Sequence, residues 1–524
     1  MKNNIPLSSS NSKILLYLWV SIYAILWICG SYFLDPTVPY DAVEAVNWGM
    51  NGEWGSPKNP WFVGAVMWPA IYLNLSYSFY WYFIHFVGIA IGMIGVWQLA
   101  YRLSHKIELA WFALLILNLS GIINFDIIPY NDNYILVTLW PWVLLFFLRA
   151  VYDHPKWWLA FALVSGLATM GKYSTLALVG TVFLLTLFVP KVRKSYQQSL
   201  FYIAIALWFV LILTNMFWLL ENDFSAFKWV DSQIEQGFNL HVVSSTLSVF
   251  YPLVIATIIL YLLGGKIGWP KEQPNQLVNF ILLLPLAVIF GWFLFHDGGR
   301  MTEWLQPFMM IAAPLFIGSI SISPKKSLRK TFFGLIIIGG LIFLGYCLVL
   351  NYNIRGAGQK MIGIKALTAE GQQRWRQKYG QPLKYVGGED NLYQWFIIYA
   401  SDRPHTIQPW DSSEDQPPNV YYRDITAETI KKHGALLLGR KDQDCSQENF
   451  TRMSKYWPQF TIKKEAIIYQ SEPNAYPQSM CLGFIVPEKI IIKNRVTMKK
   501  EENFHCHKIA TYICINLTVL LKLT

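Results

Sequence analysis

Apolar runs long enough to cross a bilayer follow one another through the first two thirds of this chain, and few folds accommodate them. A helix needs ~20 mostly apolar residues to span a hydrocarbon core. Such runs start at Ile14, Phe79, Ile107, Tyr134, Trp157, Ser174, Leu200, Val242, Val278, Leu305 and Thr331, which makes roughly eleven by the hydropathy criterion. The pair across 157–189 is the least distinct. Charged residues are 14% of the 524-residue chain, against about a quarter in soluble domains. The expectation is a polytopic α-helical membrane protein. The first run reaches Leu34 without a small-residue cleavage site, so it reads as a retained helix rather than a signal peptide.

The net charge of +11 raises the question of nucleic acid, and its placement answers it. Lys2, Lys13, Arg102, Lys106, Arg149, Lys156, Lys191, Arg193, Lys194, Lys266, Lys271, Lys325, Lys326, Arg329 and Lys330 fall in alternate gaps between runs, whereas the other gaps hold few bases: Lys58, Lys172, Lys228 and Arg300. By the positive-inside rule the first set is cytoplasmic, the N-terminus with it, and an odd number of spans puts everything after about Leu350 outside. Acids crowd the outer gaps instead, at Asp35, Asp41, Glu44 and Glu53, at Asp126 and Asp132, across Glu221–Glu235, and at Asp297 and Glu303.

The membrane domain is thus expected over 1–351, with its first outer loop at 35–61 and a helical stretch around 42–50 within it. From about Tyr352 helix and strand patterns alternate: a helix over 368–379 stopped by Gly380 and Pro382, a strand over 383–386, helices over 391–400 and 426–433, and an apolar strand over 435–438. That alternation predicts a small extracytoplasmic α/β domain over 352–488. The tail, 489–524, is basic and then apolar but short for a span. Six cysteines lack CxxC spacing, which argues against a zinc module. Cys445 and Cys481 share the outer domain, as a disulfide in an oxidising compartment or as two free thiols.

Ionisable groups at a membrane edge are costly and are functional candidates by default. Asp41 and Glu44 are spaced to share one helical face, although acids also suit a helix N-terminus. Asn131, Asp132 and Asn133 stand where the chain re-enters the membrane; a cap uses one of the three. Lys172 in Gly171-Lys172-Tyr173 either snorkels or neutralises a phosphate. Arg300, Glu303 and Trp304 form a fourth outer cluster.

These motifs, taken in order, resemble the integral-membrane glycosyltransferases of the GT-C fold that use polyprenyl-phosphate sugars, a superfamily of protein O-mannosyltransferases, lipid A aminoarabinose transferases and lipopolysaccharide galacturonosyl transferases. Asp41-x-x-Glu44-Ala45-x-x-Trp48-Gly49 with Trp54-Gly55 and Lys58-x-Pro60 is similar to the family's acidic first outer loop leading to Lys-His-Pro-Pro. Asn131-x-Asn133, Gly166-Leu167-Ala168 with Lys172-Tyr173, Arg300-x-x-Glu303-Trp304-Leu305-x-Pro307 and Tyr399-x-x-Asp402-Arg403-Pro404 resemble its later motifs. The likeness covers about 14–488. Asn59 stands where the family often has His, and Trp61 where it has a second Pro.

The resemblance implies a GT-C-type fold and a bacterial inner-membrane enzyme that moves a sugar from a polyprenyl-phosphate donor to lipid A, lipopolysaccharide core, another glycolipid or a protein, in one inverting displacement. Membrane lipids and the lipid-linked sugar are the implied partners, nucleic acid is not, and a divalent metal ion stays open. Asp41 would be the base, with Glu44 orienting it or holding the metal. Lys58, Lys172 and Arg300 would face the phosphate. Asn131, Asp132, Asn133, Tyr173, Glu303 and Trp304 would contact substrates. A transporter or flippase of lipid-linked sugars is the rival reading, but no internal repeat of the transporter kind is visible; an envelope scaffold is a third.

Overall fold

The computed structural model describes residues 9–35, 37–56, 58–124, 132–232, 234–262, 266–298, 301–321, 328–351, 363–388, 391–407, 425–439, 445, 450–469 and 478–488. The predicted tail, Arg300 and Asn131 lie outside them.

Each of the apolar runs forms helix. The membrane domain comprises α1 (Ser9–Leu34), α2 (Tyr40–Asn51), α3 (Phe62–Ala65), α4 (Trp68–Tyr72), α5 (Tyr77–Ser104), α6 (Ile107–Asn118), α7 (Tyr134–Tyr152), α8 (Trp157–Gly171), α9 (Thr175–Phe188), α10 (Pro190–Arg193), α11 (Ser199–Glu221), α12 (Ser225–Ser232), α13 (His241–Leu262), α14 (Gln273–Leu294), α15 (Met301–Leu305), α16 (Met309–Gly318) and α17 (Leu328–Asn351). The roughly eleven apolar runs give helices of different lengths. Six of the described helices, α1, α5, α7, α11, α13 and α14, are long and apolar enough to cross alone, and α9 with the segment after it makes a seventh, bent by 91°. The runs at Ile107 and Trp157 give shorter helices because Asn118-Leu119-Ser120 and Gly171-Lys172 end them early.

At the centre, α5 packs on α1, α6, α7 and α16. Its Gly88, Gly92 and Gly95 face α7, and a Cβ at Gly92 would collide with the Val137 carbonyl. Small residues at helical spacing let backbones approach closely where no hydrophobic effect drives association. The opposite kind of surface lies on α11, α13, α14 and α17. Phe209, Val210, Phe217, Leu247, Ile258, Leu283, Val288, Ile337 and Leu341 are all exposed there, an apolar surface far beyond what a soluble monomer tolerates and the one a bilayer solvates.

Short strands β1 (Ile234–Gln236), β2 (Lys266–Ile267), β3 (His296–Gly298) and β4 (Ile320–Ser321) tie loops together at the two ends: β1 pairs with β3 and β2 with β4. The C-terminal domain carries β5 (Tyr385–Gly388), β6 (His405–Thr406), β7 (Ala435–Leu438), β8 (Ile462–Tyr469) and β9 (Gln478–Ile485) in one mixed sheet of order β6-β5-β7-β9-β8. Helices α18 (Ile364–Tyr379), α19 (Phe396–Tyr399), α20 (Ala427–His433) and α21 (Thr451–Tyr456) accompany it. The Cys445–Cys481 pair forms a disulfide at β9, and the sheet's core strand β7 is buried throughout.

This domain is clamped to the first outer loop. Trp395 Nε1 donates to the Val38 carbonyl (3.3 Å), the Val38 amide donates to Tyr399 Oη (2.7 Å), Gln394 Nε2 donates to Tyr40 Oη (2.9 Å) and Thr406 Oγ1 donates to Asn47 Oδ1 (2.5 Å). Arg403 reaches Asn74 Oδ1 (2.5 Å) and the Leu75 carbonyl (2.9 Å) while its guanidinium lies 4.1 Å from the Tyr77 ring centre.

Candidate active site at the acidic end of the bundle

Helix α2 follows Pro39, whose fixed φ suits the turn into a helix, and stops at Gly52, which takes the left-handed conformation (φ 66°). Residues 41–49 are all buried, because α3 crosses at glycines: a Cβ on Gly49 would stand 2.7 Å from the Gly64 carbonyl. The loop that follows folds back on itself. Gly55 and Pro60 pair, the Ser56 amide and hydroxyl both donate to the Asn59 carbonyl (2.9 and 2.7 Å), and the Asn59 amide donates to Ser56 Oγ (2.9 Å). That turn aims Lys58 back at α2.

Lys58 Nζ donates to Glu44 Oε2 at 2.8 Å and to Asp41 Oδ1 at 3.3 Å. The other Asp41 oxygen, Oδ2, accepts the Asp132 amide at 3.0 Å. Asp132 in turn accepts Lys172 Nζ on Oδ1 at 2.7 Å and Asn59 Nδ2 on Oδ2. Lys172 Nζ also donates to Asn133 Oδ1 (2.7 Å), and Asn133 Nδ2 donates to the Glu303 carbonyl (2.7 Å). One continuous network thus joins three buried carboxylates to two lysines, with elements as far apart in sequence as α2, α8 and α15.

Burial sets the electrostatics. Removal from water favours the neutral acid, and it lifts Glu44 to about 7, against the pull of Lys58 and with help from Asp41. Burial alone would lower the Lys58 pKa, but Asp41, Glu44 and Asp132 outweigh it and hold the ammonium well above its usual range. Asp132 is pushed up by burial and brought below its ordinary value by Lys172, then Lys58.

Asp41, Lys58, Asn59, Asp132, Asn133, Lys172, Tyr173, Glu303 and Trp304 line one pocket. Glu44 does not line it; its carboxylate sits behind, on Lys58. Tyr173 is fixed by its hydroxyl, which donates to Asn215 Oδ1 (2.9 Å), while Asn215 Nδ2 donates to the Trp54 carbonyl (2.8 Å). Asn131 and Arg300, both expected at the site, fall outside the described residues. Among the described residues no group of three or more His, Cys, Asp or Glu side chains is arranged to hold a metal ion. Lys58 Nζ occupies the place between Asp41 and Glu44 where a cation would be held, so this pair does not fit a divalent ion.

The sequence reading missed Trp229, Val230, Ile234 and Phe293, which also line the pocket. Trp229 stands over Lys58, its ring centre 5.9 Å from Nζ. The gap after Glu221 drew notice only for its charged residues; the pairing of β1 with β3, Ile234 opposite Gly298 and Gln236 opposite His296, brings it over the site.

Residues 58–218 match the family model described as dolichyl-phosphate-mannose-protein mannosyltransferase. Among solved structures, ArnT from Cupriavidus metallidurans bound to undecaprenyl phosphate superposes with a TM-score of 0.60 at 12% identity, over 91% of this chain and 99% of that one. The same protein in the apo state gives 0.58 at 12% identity with the same coverage. No curated protein sequence matches. The chain has the GT-C fold of integral-membrane glycosyltransferases, built on a bundle of apolar helices with a small C-terminal sheet domain.

Proposed function

We propose that the protein transfers a sugar from a polyprenyl-phosphate donor to an envelope acceptor, a glycolipid such as lipid A or lipopolysaccharide core, or a protein, at the outer face of the bacterial inner membrane. The observation that carries this reading is the convergence of Asp41, Lys58 and Lys172 on one pocket. They sit at the end of the bundle away from the basic gaps. The undecaprenyl phosphate held by the superposable ArnT supports a donor of that class, and the lipid-facing surfaces of α11, α13 and α14 offer its tail a path.

In this reading the acceptor hydroxyl gives its proton to Asp41 as its oxygen bonds to the anomeric carbon. The bond from that carbon to the phosphate oxygen breaks, and its electron pair leaves on the polyprenyl phosphate. A single displacement inverts the anomeric centre. Lys172, the more exposed of the two lysines (24% against 9%), meets the departing phosphate, where developing negative charge is best stabilised by a fixed cation. Arg300 is assigned to the same phosphate. Glu44 acts through Lys58 and is a positioning residue. Asn133, Tyr173, Glu303 and Trp304 bound the sugar, and Asn131 belongs to the same re-entry segment. Because the donor is confined to the bilayer, part of the encounter entropy is removed in advance.

Mass spectrometry of envelope glycolipids from cells with and without the gene tests the proposal and names the sugar. A species that disappears with the gene and returns with it supports transfer. Accumulation of an intact lipid-linked sugar on one leaflet, with no glycosylated product lost, would point to a flippase instead.

A further inference from the structure

A second pocket lies at the other end of the same helices. It is lined by Lys13 and Tyr17 of α1, Trp97, Gln98, Tyr101 and Arg102 of α5, Arg149 and Tyr152 of α7, and Glu272 and Pro274 at the start of α14, with Leu16, His105, Leu145 and Asp153 filling the rest. Helix α7 runs from Tyr134, beside Asp132, to Tyr152, so at 1.5 Å per residue the two pockets stand roughly 25–30 Å apart, about one bilayer core.

The charges of this pocket do not cancel. Arg102 is matched by Asp153 in a two-pronged pair (2.7 and 2.9 Å), and Glu272, 3.7 Å from His105, is a second carboxylate, so the three cations Lys13, Arg102 and Arg149 outnumber the two acids of the lining. Arg149 donates to Gln98 Oε1 (3.3 Å) and lies over the Trp157 ring (4.7 Å), with no ion pair of its own among the described residues. Lys13, on an exposed stretch of α1, has none there either. Lys191, 5.6 Å from the ring centre of Tyr152, adds a further positive charge beside one of the lining residues. The walls are apolar and aromatic, and the pocket continues onto exposed Ile14, Tyr17 and Leu18 and onto Tyr101, the surface that meets acyl chains.

We infer that this basic pocket binds the phosphate headgroup of an anionic phospholipid in the leaflet opposite the candidate active site, with the acyl chains along α1 and α5. Basic pockets between membrane helices hold anionic headgroups because the fixed cations meet a ligand already concentrated in the plane of the bilayer. One phosphodiester charge settles between Lys13 and Arg149. The headgroup then links the ends of α1, α5 and α7, the three helices that carry the first outer loop and Asp132 at their far ends. The inference is independent of the sugar-transfer reading, since neither residue touches that site.

The test is native mass spectrometry of the full chain in detergent, titrated with phosphatidylglycerol, with phosphatidylcholine of the same acyl chains, and with glycerol 3-phosphate. Phosphatidylglycerol is expected to be retained over phosphatidylcholine. Lys13→Gln and Arg149→Gln each weaken that retention about fivefold, and together about 25-fold, while Arg149→Lys preserves most of it. Lys13 is exposed, so its variant reports even where Arg149→Gln folds poorly. Equal retention of the two lipids, or retention unchanged in Lys13→Gln, overturns the inference. Displacement of the lipid by glycerol 3-phosphate at matched concentration also overturns it, because the site would then serve a soluble anion.

Discussion

Asp41 and Asp132 are both buried carboxylates with a lysine, yet they are paired differently. Asp132 takes Lys172 at 2.7 Å and Asn59 on its other oxygen. Asp41 stands 3.3 Å from a lysine that lies 2.8 Å from Glu44. Glu44 therefore draws Lys58 off the carboxylate proposed as base. With Asp41→Asn, transfer should fall about 10²–10⁴-fold, measured in membranes at matched protein level. Lys172→Met should cost about 10²–10³-fold in kcat and less in the affinity for acceptor. The pH dependence follows from Glu44. Below about 7 it is protonated, releases its claim on Lys58, and the ammonium settles on Asp41, so transfer declines on the acid side. In Glu44→Gln the rate should be low and flat through that limb. Folding has its own sign here. A carboxyl raised in the folded state carries a proton the unfolded chain has lost between its ordinary value of 4.5 and about 7, so that contribution to stability is present below this window and is lost as pH rises through it. An acid-side decline of equal size in Glu44→Gln would contradict the assignment.

At the scale of elements, the apolar periodicity of the chain located the long apolar helices of the described residues, because a run of ~20 apolar residues has few alternatives in lipid. The runs at Trp157 and Ser174 meet at Gly171-Lys172, which ends one helix and opens another at the site itself. The motifs Asp41-x-x-Glu44 and Lys172-Tyr173 were legible as chemistry for the same reason, since charge beside such runs needs an explanation. The β8–β9 hairpin was not read, as Lys463, Lys464 and Glu465 interrupt any simple alternation in β8. The pocket wall from Trp229, Val230 and Ile234 was not readable either, for it depends on β1 pairing with a strand beyond two intervening helices. How tightly α2 is held is also visible only in three dimensions. Gly64→Val places side-chain atoms where the α2 backbone runs; overpacking of this kind costs about 1–3 kcal/mol and displaces Asp41. It should lower the unfolding midpoint in detergent and reduce transfer together, whereas Gly180→Ala, in open space on α9, should leave both unchanged.

For the molecule as a whole, the sheet domain and the membrane bundle share the first outer loop. Four hydrogen bonds join 394–406 to Val38, Tyr40 and Asn47, so the domain braces the helix that carries Asp41. Asn47→Ala leaves the buried Thr406 hydroxyl without its acceptor, at about 1–3 kcal/mol, and should depress transfer without altering membrane insertion. The disulfide Cys445–Cys481 accords with an oxidising compartment. Thiol labelling of unreduced cells should leave both cysteines unmodified, and labelling of both from the cytoplasmic side would invert the topology. The central claim, that this one pocket performs sugar transfer with Asp41 as base, is tested most directly by glycolipid mass spectrometry of cells lacking the gene and complemented with wild type or Asp41→Asn. The wild type should restore the glycosylated species and Asp41→Asn, at equal abundance in the membrane, should not; full restoration by Asp41→Asn would contradict it.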